Sequence, residues 1–144
     1  MIGGGELLIG EYQHSLDVKG RVNFPAKLRE SLGESFIITK GIDGCLAVYP
    51  KDEWQAVVDK FRGLTSKEGR RLQRYFFSGA AELEPDKQGR VLIPASLREF
   101  AGLDKDVMII GASVRAEIWD KQKWDESQTL TDDDVVAIME NIAF

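Results

Sequence analysis

The sequence of 144 residues has very little cysteine and histidine, with one of each, Cys45 and His14. A lone cysteine excludes an internal disulfide and is typical of a protein kept in a reducing cytoplasm. One histidine and one cysteine also argue against a structural zinc site. No apolar run approaches the roughly 18 residues that a membrane-spanning helix needs, and no basic-then-apolar signal segment opens the chain. We therefore expect a cytoplasmic protein without metal, cofactor or membrane partner.

The chain also lacks an overall positive charge, because its formal net charge is -5. Taken alone, this value argues against a nucleic-acid partner. The charge is unevenly spread, however: residues 117–144 hold eight acidic and two basic side chains, whereas residues 60–74 hold six basic and one acidic. An anionic ligand responds to the local potential. The composition therefore leaves an anionic partner open.

What the sequence does contain is an internal repeat. Residues 17–33 and 86–102 are identical at ten of seventeen positions, where unrelated segments would share about one. Both copies follow the pattern D-x-x-G-R-V-x-x-P-A-x-L-R-E. Gly20 and Gly89 permit a positive φ in a tight turn, and alternating apolar residues after each turn predict a half-buried strand. Each copy therefore predicts a turn, a strand and a short helix in that order.

The helix that follows each strand has start and stop signals. Pro25 and Pro94 occupy the place of a first helical residue, and Gly33 and Gly102 are placed as left-handed carboxy-terminal caps. We expect the strands before and after each turn to pair as a local hairpin, and a second hairpin to follow the helix. The predicted strands lie within 7–16 and at 21–24, 36–39, 45–49, 80–84, 91–93, 107–111 and 114–119; the predicted helices are 25–32, 51–62, 65–78, 94–101 and one that starts near 131.

One repeat thus has the order β-β-α-β-β, and such a unit has too many exposed strand edges to stand alone. Two units can pair about a pseudo-twofold axis and interlock their hairpins into a closed barrel. We therefore predict a β-rich α+β fold with peripheral helices. The expected division is a first repeat at 11–53, a helical connection at 54–81, a second repeat at 82–125 and an acidic carboxy-terminal helix at 126–144.

Four segments carry a resemblance to a known family. They read G-E-Y-Q-H-S-L-D-V-K-G-R at 10–21, G-x-D-G-C-L-x-V-Y-P at 41–50, F-F-S-G-A-A-E-x-E-x-D-K-Q-G-R at 76–90 and I-W-D-K-x-x-W at 118–124. In this order they resemble the MraZ family, bacterial transcriptional regulators with two tandem SpoVT/AbrB-type domains. Two features depart from the family pattern. Residues 1–8 extend beyond the usual start, and Asn23 stands where an apolar strand residue is usual, which predicts a more exposed strand face.

The resemblance implies an AbrB-like swapped-hairpin barrel and assembly into closed homo-oligomeric rings. It implies binding to double-stranded DNA with direct repeats, upstream of the division and cell-wall gene cluster. It also implies a nucleoid-associated protein with no enzymatic activity and no small-molecule substrate. The D-x-x-x-R motif would face DNA, which in this chain means Asp17 to Arg21 and Asp86 to Arg90.

The first motif is the main candidate site. The turn would present Arg21 and Lys19 to a phosphate or a guanine edge, with Lys27 nearby, while Asp17 orients Arg21. The competing interpretation is an ion pair that only braces a hairpin. The second motif, with Arg90, Lys87 and the orienting Asp86, belongs to a less basic copy. The candidate residues of this second copy are therefore expected to be secondary or structural.

Several alternatives stay open at this point. The chain could be a ring-forming structural or protein-interaction protein, or, more remotely, a hydrolase in which the two motif aspartates share a proton. Arg29 and Arg98 could pair with the neighbouring Glu30 and Glu99. Another arginine group could be either a phosphate-binding or a solvated helix face: Arg70, Arg71 and Arg74. A group of aromatic residues could provide base-stacking platforms, but a place in the core or in a subunit interface is preferred: Trp54, Trp124, Tyr75, Phe76 and Phe77.

Overall fold

The computed structural model describes residues 7–143, and its elements follow the predicted order. Two β-β-α-β-β units are joined by a pair of helices and followed by two more. The elements are β1 (Glu11–Ser15), β2 (Arg21–Asn23), α1 (Ala26–Leu32), β3 (Phe36–Lys40), β4 (Leu46–Pro50), α2 (Lys51–Arg62), α3 (Lys67–Phe77), β5 (Ala81–Leu83), β6 (Arg90–Leu92), α4 (Ala95–Ala101), β7 (Asp106–Gly111), β8 (Ala116–Asp120), α5 (Lys121–Ser127) and α6 (Asp132–Asn141).

The strands are shared between the two units. A six-stranded antiparallel sheet has the order β1-β7-β8-β4-β3-β5, and β2 pairs with β6 in a separate two-stranded ribbon. The predicted hairpins after each helix, β3–β4 and β7–β8, are confirmed. The predicted hairpins around each turn are wrong, because β1 pairs with β7 and β5 with β3. The predicted interlocking is confirmed, although no hydrogen-bonded ladder closes β1 onto β5 in the described residues.

The exchange of strands follows from burial at the pseudo-twofold axis. Val22 on β2 lies directly opposite Val91 on β6, and the two side chains are 1% and 2% exposed. The same core takes Leu28 and Leu97 from the equivalent positions of α1 and α4, each 1% exposed. If each turn formed a local hairpin, Val22 and Val91 would not face each other, and each would lose the apolar partner that buries it. One shared hydrophobic core therefore requires both repeats.

The ends of the two motif helices differ from the prediction in detail. Pro25 and Pro94 are the extended residues that precede the helices, with ψ of 131° and 140°. Gly102 adopts the predicted left-handed conformation, with φ 63° and ψ 33°, but Gly33 has φ 92° and ψ -172°. The second copy has one residue more between its helix and the next aligned strand. We attribute the difference to this length, because the first copy must turn directly into β3.

The amino-terminal end of the described chain belongs to the fold. Leu8 is 1% exposed and joins the main hydrophobic cluster. Its backbone exchanges two hydrogen bonds of 2.9 Å with Ser113. Leu8 is thus a core residue, although the sequence predicts it to lie in an extension at 1–8. Residues 1–6 of that extension lie outside the described residues.

The helical connection is held by aromatic contacts. Trp54 and Phe61 on α2 each meet Phe77 of α3 edge-on, with ring centroids 5.3 and 5.4 Å apart. Tyr75 and Phe76 meet edge to face with ring centroids 4.8 Å apart, and Trp124 of α5 packs edge-on against Trp119. These rings are engaged within the chain, which supports the structural interpretation over base stacking.

The remaining helix starts show one error and one success. The cap of α3 is Ser66, whose hydroxyl accepts from the amide of Gly69, so the helix begins at Lys67 and not at the predicted residue 65. The start of α6 near Thr131 is confirmed, with a capping box between Thr131 and Asp134. Within residues 7–143, no helix combines the length and apolar character that crossing a bilayer requires.

The β2–β6 ribbon gives a test of the shared core. Val22→Ala and Val91→Ala should each lower the free energy of unfolding by about 2 kcal/mol, since each removes two buried methyl groups. Because the two side chains face each other, the double variant should show a coupling energy of at least about 0.5 kcal/mol in a denaturant double-mutant cycle. Leu92→Ala is the control, since Leu92 on the same ribbon is 56% exposed. Strict additivity of the two valine variants would contradict the shared core.

Candidate nucleic-acid interface

The first motif turn is folded around one carboxylate. Oδ1 of Asp17 accepts from the backbone amides of Lys19 and Arg21, at 2.9 and 2.8 Å. Oδ2 accepts from Nε of Arg21 at 2.7 Å. Gly20 has a φ of +85°, which closes the turn. One aspartate therefore fixes both the turn backbone and the direction of the arginine.

Hydrogen bonding keeps this carboxylate charged. The amide of Arg21 is the largest cause lowering the pKa of Asp17, and the Arg21 side chain and the Lys19 amide lower it further. A lowered pKa means that the ionised form is favoured in the folded protein. The ionised carboxylate therefore stabilises the folded state at neutral pH, and this stabilisation is lost as the pH falls through the lowered pKa. At neutral pH Asp17 therefore acts as an acceptor that orients the turn.

The second turn repeats the geometry. Oδ1 of Asp86 accepts from the amides of Gln88 and Arg90, both at 2.9 Å, and Oδ2 accepts from Nε of Arg90 at 2.9 Å. The amide of Arg90 is again the largest cause lowering the pKa of Asp86. Two aspartates that shared a proton would have one pKa raised. The lowered pKa values of both aspartates argue against the hydrolase alternative.

Each motif arginine keeps part of its guanidinium available. Its Nε–H donates a hydrogen bond to Oδ2 of the aspartate, while the two Nη groups have no partner among the described residues. The side chains of Arg21 and Arg90 are 29% and 33% exposed. The two Nη groups can donate in parallel to a phosphate or to the O6 and N7 acceptors of guanine. The aspartate thus fixes the orientation of a bidentate donor before any ligand arrives.

The β2–β6 ribbon brings the two turns together. Arg21 is opposite Leu92, and Arg90 is opposite Asn23. Because alternate residues share a face, these four side chains lie on the face opposite the buried valines. The two arginines are then diagonal neighbours, about 7–8 Å apart at the backbone. The two motifs therefore form one continuous surface, which we call the arginine ribbon (Arg21, Asn23, Arg90 and Leu92).

Asn23 has a role that its polarity alone did not reveal. With its amide nitrogen facing the second turn, it donates to the carbonyls of Gln88 and Gly89 at 3.0 and 3.3 Å. Asn23 is exposed, but whether its polarity makes this strand face more exposed than usual stays a prediction. The equivalent Leu92 is also 56% exposed, so an apolar residue at this position is not buried either. Asn23 therefore ties the first repeat's strand to the second repeat's turn.

Two further arginines reach across the pseudo-twofold axis. Nη1 of Arg98, on α4, donates to the carbonyl of Lys19 at 3.3 Å and lies 1.2 Å from where a Cβ on Gly20 would be. Arg29, on α1, lies in the same way 2.9 Å from the Cβ position of Gly89. The alternative in which they pair with Glu30 and Glu99 is wrong, since neither arginine forms an ion pair within residues 7–143. In the sequence, Arg29 and Arg98 stand at the same distance after Arg21 and Arg90. This equal spacing was the one feature that could have indicated a shared role for them.

The lysines predicted for the site separate. Lys19 is exposed on the first turn and Lys87 on the second. Lys27 is exposed on α1, and that helix borders the second turn, where Ala26 and Arg29 line a groove with Asp86. Lys27 therefore lies on the helix that borders the second turn, and its predicted contact with DNA stays a prediction. The basic group around the first turn consists of Lys19, Arg21 and Arg98.

The two motifs have nearly the same geometry, but the charged residues around the two turns differ. The groove beside the second turn is lined by the carboxylates of Glu30, Glu34, Glu84 and Asp86 around Arg29. In the first copy, Ser15 occupies the position of Glu84. The first turn is therefore the more favourable place for an anion.

No group of three or more His, Cys, Asp or Glu side chains in the described part of the chain is arranged to hold a metal ion.

Comparisons with known proteins show the same repeat over the whole chain length that they match. A sequence model of the family described as "MraZ protein, putative antitoxin-like" matches twice, at residues 7–75 and 76–136. The chain belongs to the MraZ family. Proteins named "Transcriptional regulator MraZ" are 58% identical over 120 residues in Heliobacterium modesticaldum, covering 82% of this chain and 84% of that protein. The corresponding values are 59% over 121 residues in Acetivibrio thermocellus, covering 83% and 85%, and 49% over 138 residues in Syntrophomonas wolfei, covering 94% and 96%.

The close approach of Arg98 to Gly20 can be tested with a matched glycine. Gly44 has a similar φ of +82°, but its Cβ position is free of neighbours within 4 Å. Gly44→Ala should therefore cost only the backbone strain, about 1–2 kcal/mol of unfolding free energy. Gly20→Ala should cost more, because the new methyl group must also displace Arg98.

Combining Gly20→Ala with Arg98→Ala removes the obstructing guanidinium. In that background the cost of Gly20→Ala, measured by denaturant unfolding, should fall to the cost of Gly44→Ala. An unchanged cost in the Arg98→Ala background would show that Arg98 does not occupy this position.

Proposed function

We propose that the chain is a sequence-specific DNA-binding transcription regulator that acts on direct repeats upstream of the division and cell-wall gene cluster. It works as a closed homo-oligomeric ring associated with the nucleoid, and it has no enzymatic activity. Its parts are the repeats 11–53 and 82–125, the helical connection 54–81 and the acidic end 126–144. The relatives named as transcriptional regulators support the DNA partner. The arginine ribbon carries the proposal.

The shape of the arginine ribbon suits duplex DNA. A two-stranded antiparallel ribbon fits the major groove, where guanine offers two acceptors to one guanidinium. Arg21 and Arg90 point their free Nη groups from the same face. The aspartates hold both side chains in place, so little side-chain entropy is lost on binding. A good bidentate contact discriminates by about 1–3 kcal/mol against the wrong base.

The first turn should dominate the contact. Lys19 and Arg98 add two cations beside Arg21, whereas the second turn faces an acidic groove. Phosphates are repelled by such carboxylates. We therefore assign Arg21, with Lys19 and Arg98, to the primary contact, and Arg90, Lys87 and Lys27 to a secondary one.

A ring explains how an acidic chain can hold DNA. The net charge of -5 leaves each subunit with a weak site. Several identical sites that engage successive repeats act through effective concentration, so the combined affinity exceeds that of one site. A protein-interaction ring remains the competing function. It predicts equal binding to operator duplex and to a duplex of scrambled sequence.

The ranking of the two arginines is the direct test. Arg21→Ala should abolish detectable gel-shift binding to the upstream region of the chain's own gene cluster. Oligomer mass and melting temperature should stay nearly unchanged, because Asp17 still accepts from the backbone amides of residues 19 and 21 and a half-exposed ion pair contributes little stability. Arg90→Ala should weaken binding less. Arg62→Ala is a control, since its side chain is 71% exposed on the helical connection. A larger loss with Arg90→Ala would reverse the ranking.

Salt dependence tests whether the sites act together. Log affinity falls with log salt by about 0.9 per phosphate contacted. Lys19, Arg21 and Arg98 together suggest a slope of about -2 to -3 for one subunit on a single repeat. The slope should steepen as the duplex is extended from one to two to three repeats, and Lys19→Ala should reduce it for every multi-repeat duplex. A slope independent of repeat number would contradict joint engagement.

A further inference from the structure

The last helix carries an apolar stripe that nothing in its own chain covers. Val135, Ile138 and Met139 of α6, together with Ile142 directly after it, lie at helical spacing on one side. Val135, Ile138 and Ile142 are 40%, 46% and 65% exposed. No residue of α6 is buried, and none joins either hydrophobic cluster of the described chain. The helix therefore presents an apolar surface to whatever lies outside this subunit.

This helix is also strongly acidic. It holds Asp132, Asp133, Asp134 and Glu140, and no basic residue follows Lys123 in the sequence. The three aspartates stabilise the helix because they lie at the positive end of its dipole. The capping box of Thr131 and Asp134 supplies hydrogen-bond acceptors to backbone amides at the helix start. The helix is thus stabilised by its own start, while its apolar stripe stays available.

Helix α3 offers the complementary surface. Arg71, Leu72 and Tyr75 share one side of it, and Leu72 is 46% exposed. The helix also carries Lys67, Arg70 and Arg74 against the single acidic residue Glu68. The side chains of Arg71 and Arg74 make no hydrogen bond or ion pair with another described residue. This face therefore combines exposed apolar area with unpaired positive charge.

We propose that α6 of one subunit lies along α3 of the next copy of the chain. The apolar stripe of α6 runs over about two turns, roughly 10 Å in length, and on α3 the exposed Leu72 lies beside the partly buried Tyr75. Their charges are opposite, which steers the encounter and fixes the partner. The arginine ribbon is a poorer partner for α6, because Leu92 is its single apolar side chain. The contact joins two different surfaces, so its repetition generates a ring when the rotation closes.

This inference rests on the proposed oligomer but not on DNA binding. It gives the acidic end and the basic helical connection one shared role, since each neutralises the other across a subunit boundary. It also leaves the arginine ribbon free, because neither α3 nor α6 contributes a residue to it.

A charge exchange between two variants tests the contact. The first variant carries Lys67→Glu, Arg71→Glu and Arg74→Glu, and the second carries Asp132→Lys, Asp133→Lys and Glu140→Lys. Arg70 and Asp134 are left unchanged, because they bond the Thr65 carbonyl and complete the capping box. Each variant alone should need about ten times more protein to assemble, as measured by sedimentation. An equimolar mixture should recover the wild-type mass, since each altered helix then meets its complement.

Three results would overturn the proposal. The first is an unchanged mass for both single variants, and the second is a mixture that fails to recover the wild-type mass. The third is a fall in melting temperature without a change in mass, because that result would place the contact within one chain. Wild-type protein that sediments as a monomer would instead remove the oligomer from the proposed function. Binding of a single-repeat duplex, measured in parallel, reports the arginine ribbon separately.

A second set of variants decides the matter if charge reversal unfolds α6 in circular dichroism. Leu72→Ser and Ile138→Ser each remove an apolar side chain that is 46% exposed, and both should lower the assembled mass. Val136→Ser is the matched control, because Val136 lies on the same helix away from the stripe and is 54% exposed. Equal losses for Ile138→Ser and Val136→Ser would overturn the proposal.

Discussion

The pairing of β2 with β6 is the contact on which the other features depend. Each strand has three residues, and each finds its partner in the other repeat. This pairing buries Val22 and Val91 on one face and exposes the arginines on the other. A short strand without a partner would leave backbone groups unpaired next to the core. The same hydrogen bonds that close the core therefore set the spacing of the candidate DNA contacts.

Duplication gives the two turns one backbone but not one electrostatic environment. The bonds to Asp17 and Asp86 agree within 0.2 Å. What differs is the set of residues around the turns, above all Ser15 in place of Glu84. Flanking residues are not needed to fold the turn, so their charge is free to differ between copies. One fold can thus present a strong and a weak anion site on a single ribbon.

Local structure was largely predictable, and partners were not. The repeated glycines, prolines and apolar spacings predicted the turns, strands and motif helices, because these depend on neighbouring residues. Period-two alternation identifies a strand but not the strand that it pairs with, so the hairpins around both turns were wrong. Arg29 and Arg98 were misassigned for the same reason. Their contacts with the opposite turns exist only once the two repeats are interlocked.

The negative net charge can serve specificity. Non-specific binding to DNA comes from phosphate contacts and grows with the number of cations that a surface presents. In this chain the exposed cations near the arginine ribbon are few, and acidic groups surround the second turn. We therefore expect a single subunit to have little affinity for arbitrary duplex. In the proposed function, binding depends on bidentate base contacts and on several subunits finding repeats at the correct spacing, and both requirements discriminate between sequences.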